Sequence, residues 1–280
     1  MPRGVKQKIA PIRQYSIKME VLFGLHPVEE AIRSGARPLE SVIVSRDRKD
    51  ERLERVIALC RSAGISVQTE SRDQMTRLAK TDQHQGVLAI VKERAFLSVE
   101  DLLKRPAGSE GHRFFLACDG IEDPHNLGAL LRTADAAGVD GVILPERRSV
   151  GVTGTVAKTS AGASEHVRIA RVTNLVRALE VLKKNNVWVV GLDERGSPDY
   201  MDFDFKTDCV LVLGREGAGL HDLVKKTCDH LLRIPMAGMV SSLNVSVAGA
   251  VVMYEAVRQR RSAPVAAAPP VKKKLKGLGS

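Results

Sequence analysis

The chain has 280 residues, of which 44% are apolar and 27% are charged, and its formal net charge is +10. This length allows one large domain or two ordinary ones, each with a hydrophobic core that needs no metal or disulfide. The sequence has no apolar run of about 18 residues and no apolar segment of a secretory signal near its start, so we expect a cytoplasmic protein outside the membrane.

Most of the positive charge lies in the two terminal segments. Residues 1–19 contain five basic residues and residues 262–280 contain four, and neither segment contains an acidic residue. The body from 20 to 261 therefore has a net charge of only +1. Basic, disordered arms on a nearly neutral body favour a polyanionic partner such as nucleic acid, because binding releases counterions. Solubilising tails would give the same pattern, so the charge alone leaves both interpretations open.

The cysteines and histidines are not spaced as metal ligands. Cys60, Cys118, Cys209 and Cys228 lie far apart and form no CxxC pair, and two of them lie inside apolar runs. We therefore expect reduced thiols, mostly in the core, and no bound metal.

Residues 20–91 alternate between strand and helix patterns and predict a small α/β domain. The predicted strands are EVLFG, SVIVS, ISVQTE and GVLAIV, and the predicted helices are HPVEEAIRSG, DERLERVIALCRSAG and RDQMTRLAK. A unit of about seventy residues is short for a catalytic domain and suits a binding domain. Residues 92–112 are mixed and polar, which predicts a linker.

Residues 113–261 form a second and longer α/β series. The predicted strands are FFLACDG, GVILP, VRIAR, VWVVGLD, CVLVLG and LLRIP, with helices between them and a final helix from about residue 244. Short, continuous apolar runs of this kind predict a mostly parallel sheet covered by helices on both faces. Because ligands bind beyond the carboxyl ends of such strands, polar residues there are the candidate site residues.

The first polar strand end is DGIEDPHNLGALLRTADAAGV, which contains Asn126 and Arg132. Six residues along an ideal helix leave two side chains about 120° apart, so these two residues do not share one stripe. A long arginine can still reach round toward the start of the helix. The alternative is an N-capping turn followed by a surface arginine.

The second strand end, VLVLGREGAGL, is rich in glycine and contains Gly214 and Glu216. Glycine directly after a buried strand lets a ligand approach the backbone and bond its amide groups. Glu216 would also stabilise a helix start through the helix dipole, and the pattern does not separate these interpretations.

The third strand end, IPMAGMVSSLNVSVA, carries four hydroxyl or amide side chains before an almost entirely apolar helix: Ser241, Ser242, Asn244 and Ser246. A helix cap needs only one such residue, so the excess favours a binding role. A serine nucleophile is not expected, because no GxSxG motif accompanies these residues.

Several common nucleotide-binding motifs are missing from the sequence. No GxGxxG motif follows the first strand of either unit, and no phosphate-binding GxxxxGK[ST] loop occurs. A Rossmann site for NAD or S-adenosylmethionine is therefore disfavoured. These patterns alone indicate a two-domain α/β protein with a polar site, and they do not identify the reaction.

Taken together, the three strand ends resemble the three motifs of the SpoU (TrmH) family of RNA ribose 2′-O-methyltransferases, within the SPOUT class. The motifs DPHNLGALLRTADAAGV, LVLGREGAGL and IPMAGMVSSLNVSVA occur in the order of that family. The earlier segment VLFGLHPVEEAIRSG resembles the RNA-binding domain of the RlmB branch. The resemblance implies a SPOUT-type α/β catalytic domain with a C-terminal trefoil knot, preceded by a small α/β RNA-binding domain.

The resemblance also implies a cofactor and a set of site residues. The cofactor is S-adenosylmethionine, and the residues implied to bind it are Gly214, Ile234 and Leu243. The residues implied to be catalytic are Arg132, Asn126, Glu216, Ser242 and Asn244. The family proposal makes Arg132 the base, but a guanidinium normally stays protonated. We therefore expect Arg132 to bind the RNA phosphate and to orient the ribose hydroxyl.

Finally, the resemblance implies partners. It implies a homodimer that packs partly through the last helix, which is apolar or small on almost every side. It implies bacterial 23S ribosomal RNA as the substrate, methylated on a guanosine ribose. Two alternatives stay open, which are methylation of a transfer RNA ribose and an RNA-binding or ribosome-assembly factor without catalysis. The complete set of motif residues favours an enzyme over the second alternative.

Overall fold

The computed structural model describes residues 18–105 and 111–261. The predicted arms at 1–19 and 262–280 lie almost wholly outside the described residues, as does part of the predicted linker. The first domain contains β1 (Met19–Phe23), α1 (Leu25–Ser34), β2 (Leu39–Ser45), α2 (Glu51–Ser62), β3 (Ser66–Glu70), α3 (Arg72–Ala79) and β4 (Val87–Lys92). The short helix α4 (Val99–Leu103) follows.

The second domain begins with β5 (Phe114–Cys118), α5 (Pro124–Ala136), β6 (Gly141–Pro145), α6 (Gly154–Thr159), β7 (Ile169–Val172) and α7 (Leu175–Lys184). It continues with β8 (Trp188–Leu192), β9 (Cys209–Leu213), α8 (Asp222–Thr227), β10 (His230–Leu232) and α9 (Val245–Arg261). Two short 3-10 helices occupy Ala163–Glu165 and Tyr200–Asp202. The strands and helices predicted from the apolar patterns are confirmed.

The first domain is a four-stranded sheet in the order β1-β4-β2-β3, with helices on both faces. Strand β4 runs antiparallel to β1 and β2, whereas β3 runs parallel to β2. Alternate side chains of β2 enter different cores, since Val42 and Val44 pack with α1 and α2 while Ile43 packs with Met75 of α3. This alternation follows from the two-residue period of a strand.

The second domain is a six-stranded sheet in the order β10-β8-β9-β5-β6-β7, and every pair of neighbouring strands is parallel. Its two central strands, β5 and β9, are buried along their whole length. Leu116 and Leu211 belong to the core under α5 and α9, while Phe115 and Val210 belong to the core under α4 and α7. The predicted parallel sheet with two covered faces is confirmed.

The predicted linker contains a helix that the sequence pattern did not predict. Ser98 and Asp101 form a capping box at the start of α4. Leu102 is completely buried against the second sheet, where a Cβ at Gly141 would lie 2.7 Å from its side chain. The helix has only five residues, too few to produce a helical period in the sequence.

Buried ion pairs connect the two domains. Glu165, in a 3-10 helix of the second domain, is 3% exposed and accepts two hydrogen bonds from Arg37, both at 3.0 Å. Arg94 donates a further hydrogen bond to the same carboxylate at 2.8 Å. Arg37 also pairs with Glu20 of β1. Arg37 belongs to the small domain and Arg94 follows its last strand, whereas Glu165 belongs to the second domain. These contacts therefore fix the small domain against the second one.

We expect Glu165→Gln to lower the free energy of unfolding by about 3–5 kcal/mol, because it leaves two buried guanidinium groups without their shared counter-charge. Urea unfolding of the full chain measures this change. The matched control is Glu51→Gln, which removes an exposed i,i+4 pair with Arg55 and should change stability little. Equal unfolding midpoints for the two variants would contradict the prediction.

Candidate active site

A cavity of about 390 Å³ lies at the carboxyl ends of β8 and β9. Its walls come from the residues after β8, the glycine-rich turn after β9, the segment between β10 and α9, and the first turn of α9. Gly214, Ile234 and Leu243, which the resemblance implies to bind the cofactor, all line this cavity. The volume lies within the range of small-molecule sites, roughly 300–1,000 Å³.

The turn after β9 closes tightly on itself. The amide of Arg215 donates to the carbonyl of Gly219 at 3.0 Å, and the amide of Gly219 donates back to the carbonyl of Arg215 at 2.9 Å. A Cβ on Gly214 would lie 2.2 Å from the carbonyl carbon of Gly219, so no other residue fits there. Gly217 and Gly219 have φ of 74° and 67°, in the left-handed region that favours glycine. The turn therefore presents backbone to the cavity.

Three side chains, one from each motif, meet beside the cavity. Asn126 donates from Nδ2 to Glu216 Oε2 at 3.1 Å. Asn244 donates from Nδ2 to Asn126 Oδ1 at 3.0 Å and to Glu216 Oε1 at 3.3 Å. Both carboxylate oxygens of Glu216 thus accept from amide groups. We call Asn126, Glu216 and Asn244 the amide cluster.

Asn244 has two functions in the structure. Its Oδ1 accepts hydrogen bonds from the amide of Ser246 at 2.9 Å and from the Ser246 hydroxyl at 2.6 Å. Its backbone carbonyl accepts from the amide of Ala248 at 2.9 Å. The side-chain oxygen therefore caps α9 while the side-chain nitrogen binds the amide cluster, so the capping and site interpretations both hold.

Two candidate residues lie apart from the amide cluster. Ser242 is exposed and lines the cavity without a hydrogen bond to the cluster. Arg132 is exposed on α5, whereas Asn126 is buried in the first turn of the same helix. Within residues 18–105 and 111–261, Arg132 forms no hydrogen bond or ion pair, which leaves its guanidinium available to a ligand.

Sequence reasoning missed the part of the cavity wall that follows β8. Asp193 and Lys225 both line the cavity, and Lys225 Nζ donates to Asp193 Oδ2 at 2.7 Å. Burial alone would raise the pKa of Asp193, but hydrogen bonds from Lys225 and the Arg195 backbone outweigh burial and lower that pKa. Asp193 is therefore ionised at neutral pH. The segment LDERG is polar, ends in glycine and lies at the carboxyl end of a parallel strand. The expectation that ligands bind beyond such strand ends therefore also includes this segment.

A second missed pair fixes the glycine-rich turn from its other side. Asp119, buried directly after β5, accepts hydrogen bonds from the backbone amide of His221 at 2.7 Å and from its Nδ1 at 2.9 Å. His221 lies two residues after Gly219, so this pair holds the segment after the turn against the end of β5.

The thiols do not take part in this site. Cys60, Cys118 and Cys209 are buried, Cys228 is half-buried, and all four are free. Burial raises the pKa of Cys118 and Cys209 to about 12. Among the described residues, no cluster of three or more His, Cys, Asp or Glu side chains is arranged to bind a metal. None of the helices in those ranges is long and apolar enough to cross a bilayer.

The fold and the site together define a two-domain α/β protein with a ligand cavity at the carboxyl edge of a parallel sheet, built from three separate motifs. Residues 113–254 match the SpoU rRNA Methylase family, and residues 21–97 match the domain described as RNA 2′-O ribose methyltransferase substrate binding. The chain belongs to the SpoU rRNA methylase family. The resemblance inferred from the three motifs is confirmed.

Similar proteins cover nearly the whole chain. The 23S rRNA (guanosine-2′-O-)-methyltransferase RlmB of Ralstonia nicotianae is 43% identical over 248 residues, which cover 88% of this chain and 98% of that protein. The crystal structure of the SpoU methyltransferase AviRb from Streptomyces viridochromogenes, in complex with AdoMet, has a TM-score of 0.73 and 26% identity, and the match covers 87% of this chain and 91% of AviRb. An AdoMet-bound rRNA methyltransferase from Sinorhizobium meliloti has a TM-score of 0.70 and 28% identity, covering 86% and 87%.

We expect replacement of Asn244 to separate its two functions. Asn244→Ser keeps an oxygen that caps α9 but removes the amide that donates to Glu216, so methyl transfer should fall at least about tenfold, since a hydrogen bond to a charged group contributes about 1.5–3 kcal/mol. Asn244→Ala should lose the same activity and, in addition, about 1 kcal/mol of stability with the cap. Initial rates and urea unfolding measure the two effects. Full activity of the serine variant would contradict a role for the amide.

Proposed function

We propose that the chain transfers a methyl group from S-adenosylmethionine to a ribose 2′-hydroxyl of RNA, on a guanosine of bacterial 23S ribosomal RNA, in the cytoplasm. The observation that carries this proposal is the amide cluster, in which one side chain from each family motif joins the other two beside a cavity. The relative with 43% identity, which has the same guanosine activity, supports the choice of substrate. The trefoil knot remains a prediction from the resemblance.

The cavity fits the proposed cofactor. The turn at Gly214 packs so tightly that a Cβ there would overlap the backbone of Gly219, and Ile234 and Leu243 provide apolar walls. Lys225 and the ionised Asp193 add a charged pair to the same wall. These groups would hold S-adenosylmethionine, which supplies an electrophilic methyl group when bound.

The protein residues then have to place and activate a weakly acidic hydroxyl. Because Glu216 holds the side-chain amides of Asn126 and Asn244, their orientation is fixed before the substrate arrives, and such preorganisation contributes to the rate. Arg132 lies in the later part of α5 and its guanidinium has no partner among the described residues, and we assign it to the phosphate beside the target ribose. A guanidinium stays protonated, so Arg132 orients and polarises the hydroxyl rather than removing its proton. Ser242 lines the cavity and is exposed to a substrate.

We expect two variants to separate methyl transfer from cofactor binding. Arg132→Ala should abolish transfer of a labelled methyl group to unmodified ribosomal RNA and leave the Kd for S-adenosylmethionine unchanged, because Arg132 does not line the cavity. Gly214→Ala should instead abolish cofactor binding, because its Cβ would overlap the backbone of Gly219. Calorimetry with S-adenosylmethionine and the labelled assay measure both properties.

Mapping the labelled nucleotide in the parent reaction tests the substrate. Methylation of a single guanosine ribose in 23S ribosomal RNA supports the proposal, and methylation of transfer RNA alone would replace that substrate. The absence of transfer to either RNA would favour a binding factor. Full activity of the Arg132→Ala variant would contradict its assigned role.

We also propose that the protein is a homodimer that packs through α9. Val247 and Tyr254 are 49% and 50% exposed and lie seven residues apart, so they occupy one face of this helix. The preceding segment exposes Met239 and Val240 as well. Exposed apolar side chains of this size favour a self-complementary contact.

We expect Tyr254→Glu to convert the dimer to a monomer at micromolar concentration, because it would bury two unpaired charges across a two-fold contact. Light scattering measures the mass. Leu223→Glu is the matched control, since Leu223 is 69% exposed on α8 and should leave the mass unchanged. A monomeric parent would refute the dimer.

A further inference from the structure

Two adjacent arginines lie at the tip of a turn that follows β6. Arg147 and Arg148 are both exposed. The turn is fixed at each end, because the amide of Glu146 donates to the carbonyl of Val172 at 2.9 Å and the amide of Val150 donates to the carbonyl of Ile121 at 2.9 Å. We call residues 146–150 the arginine turn. Its two side chains are therefore held on an ordered backbone rather than on a loose loop.

Neither arginine contributes to the fold through its side chain. In the described parts of the chain, Arg147 and Arg148 form no hydrogen bond or ion pair, not even with the neighbouring Glu146. Arg148 also has φ of 55°, a left-handed conformation that is uncommon for a residue with a side chain. A disfavoured backbone conformation that orders two unpaired charges points to a ligand outside the chain.

The segments on either side of the arginine turn reach the helix of the amide cluster and the small domain. Its contact Ile121 belongs to the loop that joins β5 to α5, the helix that carries Asn126. After the turn, the chain enters α6, where Thr159 donates to the carbonyl of Pro124 at 3.0 Å. The other end of α6 contacts β1 of the small domain, where a Cβ at Gly154 would lie 2.6 Å from the carbonyl oxygen of Val21. The turn is therefore followed in the chain by a helix that contacts both the small domain and the start of α5.

We propose that Arg147 and Arg148 bind consecutive phosphates of the RNA strand that runs from the small domain to the ribose at the cavity. This inference rests on the proposed function. Guanidinium groups donate paired hydrogen bonds to phosphate oxygens, and such contacts set the register of a nucleic acid without reading its sequence. The fixed turn thus positions the target nucleotide, while Arg132 acts at the ribose itself.

The test compares the salt dependence of RNA binding in two double variants of the full chain. The first combines Arg147→Ala with Arg148→Gly, because glycine accepts the left-handed backbone at that position. The matched control combines Lys184→Ala with Lys206→Ala, which removes two exposed lysines at the amino ends of β8 and β9, the opposite edge of the sheet. The probe is unmodified 23S ribosomal RNA, titrated over a series of potassium chloride concentrations.

We expect the slope of log Kd against log salt to decrease by roughly 1.4–1.8 in the arginine variant, the loss of two phosphate contacts. The control should keep the parent slope, and both variants should keep the parent Kd for S-adenosylmethionine. Replacing both arginines by lysine should restore most of the slope, because the charges return.

This inference is overturned if the parent binds and methylates RNA but the arginine variant keeps the parent slope. It is also overturned if the control loses as much slope as the arginine variant. A parent protein that neither binds nor methylates ribosomal RNA would overturn the proposed function and this inference with it. Circular dichroism checks the fold of each variant. If the alanine–glycine variant loses its fold, the comparison uses Arg147→Glu alone against Lys184→Glu, and equal effects of these two would refute the inference.

Discussion

The parallel pairing of β5 with β9 determines where the site lies. The two strands are in register from Phe114 opposite Cys209 to Cys118 opposite Leu213. Their carboxyl ends therefore stop together, and the amide of Asp119 donates to the carbonyl of Leu213 at 2.7 Å. One strand leads into the helix with Asn126 and the other into the turn with Gly214. Two motifs that are some ninety positions apart in the chain are thus brought together by the pairing of these strands.

Much of this arrangement followed from the sequence, because the information is local. Continuous apolar runs marked the central strands, and the rule for parallel sheets placed polar strand ends at one edge. The order of the strands did not follow, since β9 enters between β5 and β8 only through contacts distant in the chain. The helix α4 was missed because five residues give no period. Asp193 was missed because its ion pair with Lys225 joins segments distant in the chain and cannot be read from either one.

Some features of the site residues could also be predicted from local sequence, and others could not. Asn244 could be predicted both as a cap and as a binding group, but only the structure shows that one side chain performs both tasks with different atoms. The pairing of Asn126 with Glu216 could not be predicted, because a hydrogen bond between a helix and a turn some ninety residues apart leaves no trace in either segment. The strand-end pattern included Arg132 among the candidates, but its catalytic role came from the resemblance alone, since an exposed arginine on a helix is ordinary. Its lack of a partner in the described ranges distinguishes it from the paired arginines at the domain boundary.

The buried carboxylate of Glu165 limits how the two domains can move relative to one another. Because Arg37 and Arg94 both close on it, the small domain keeps a set spacing from the second domain. If the small domain holds a folded RNA element, the ribose that reaches the cavity is the one at a fixed distance from that element. In the proposed reaction, lengthening the RNA between that element and the target by one nucleotide would bring the neighbouring ribose to the cavity.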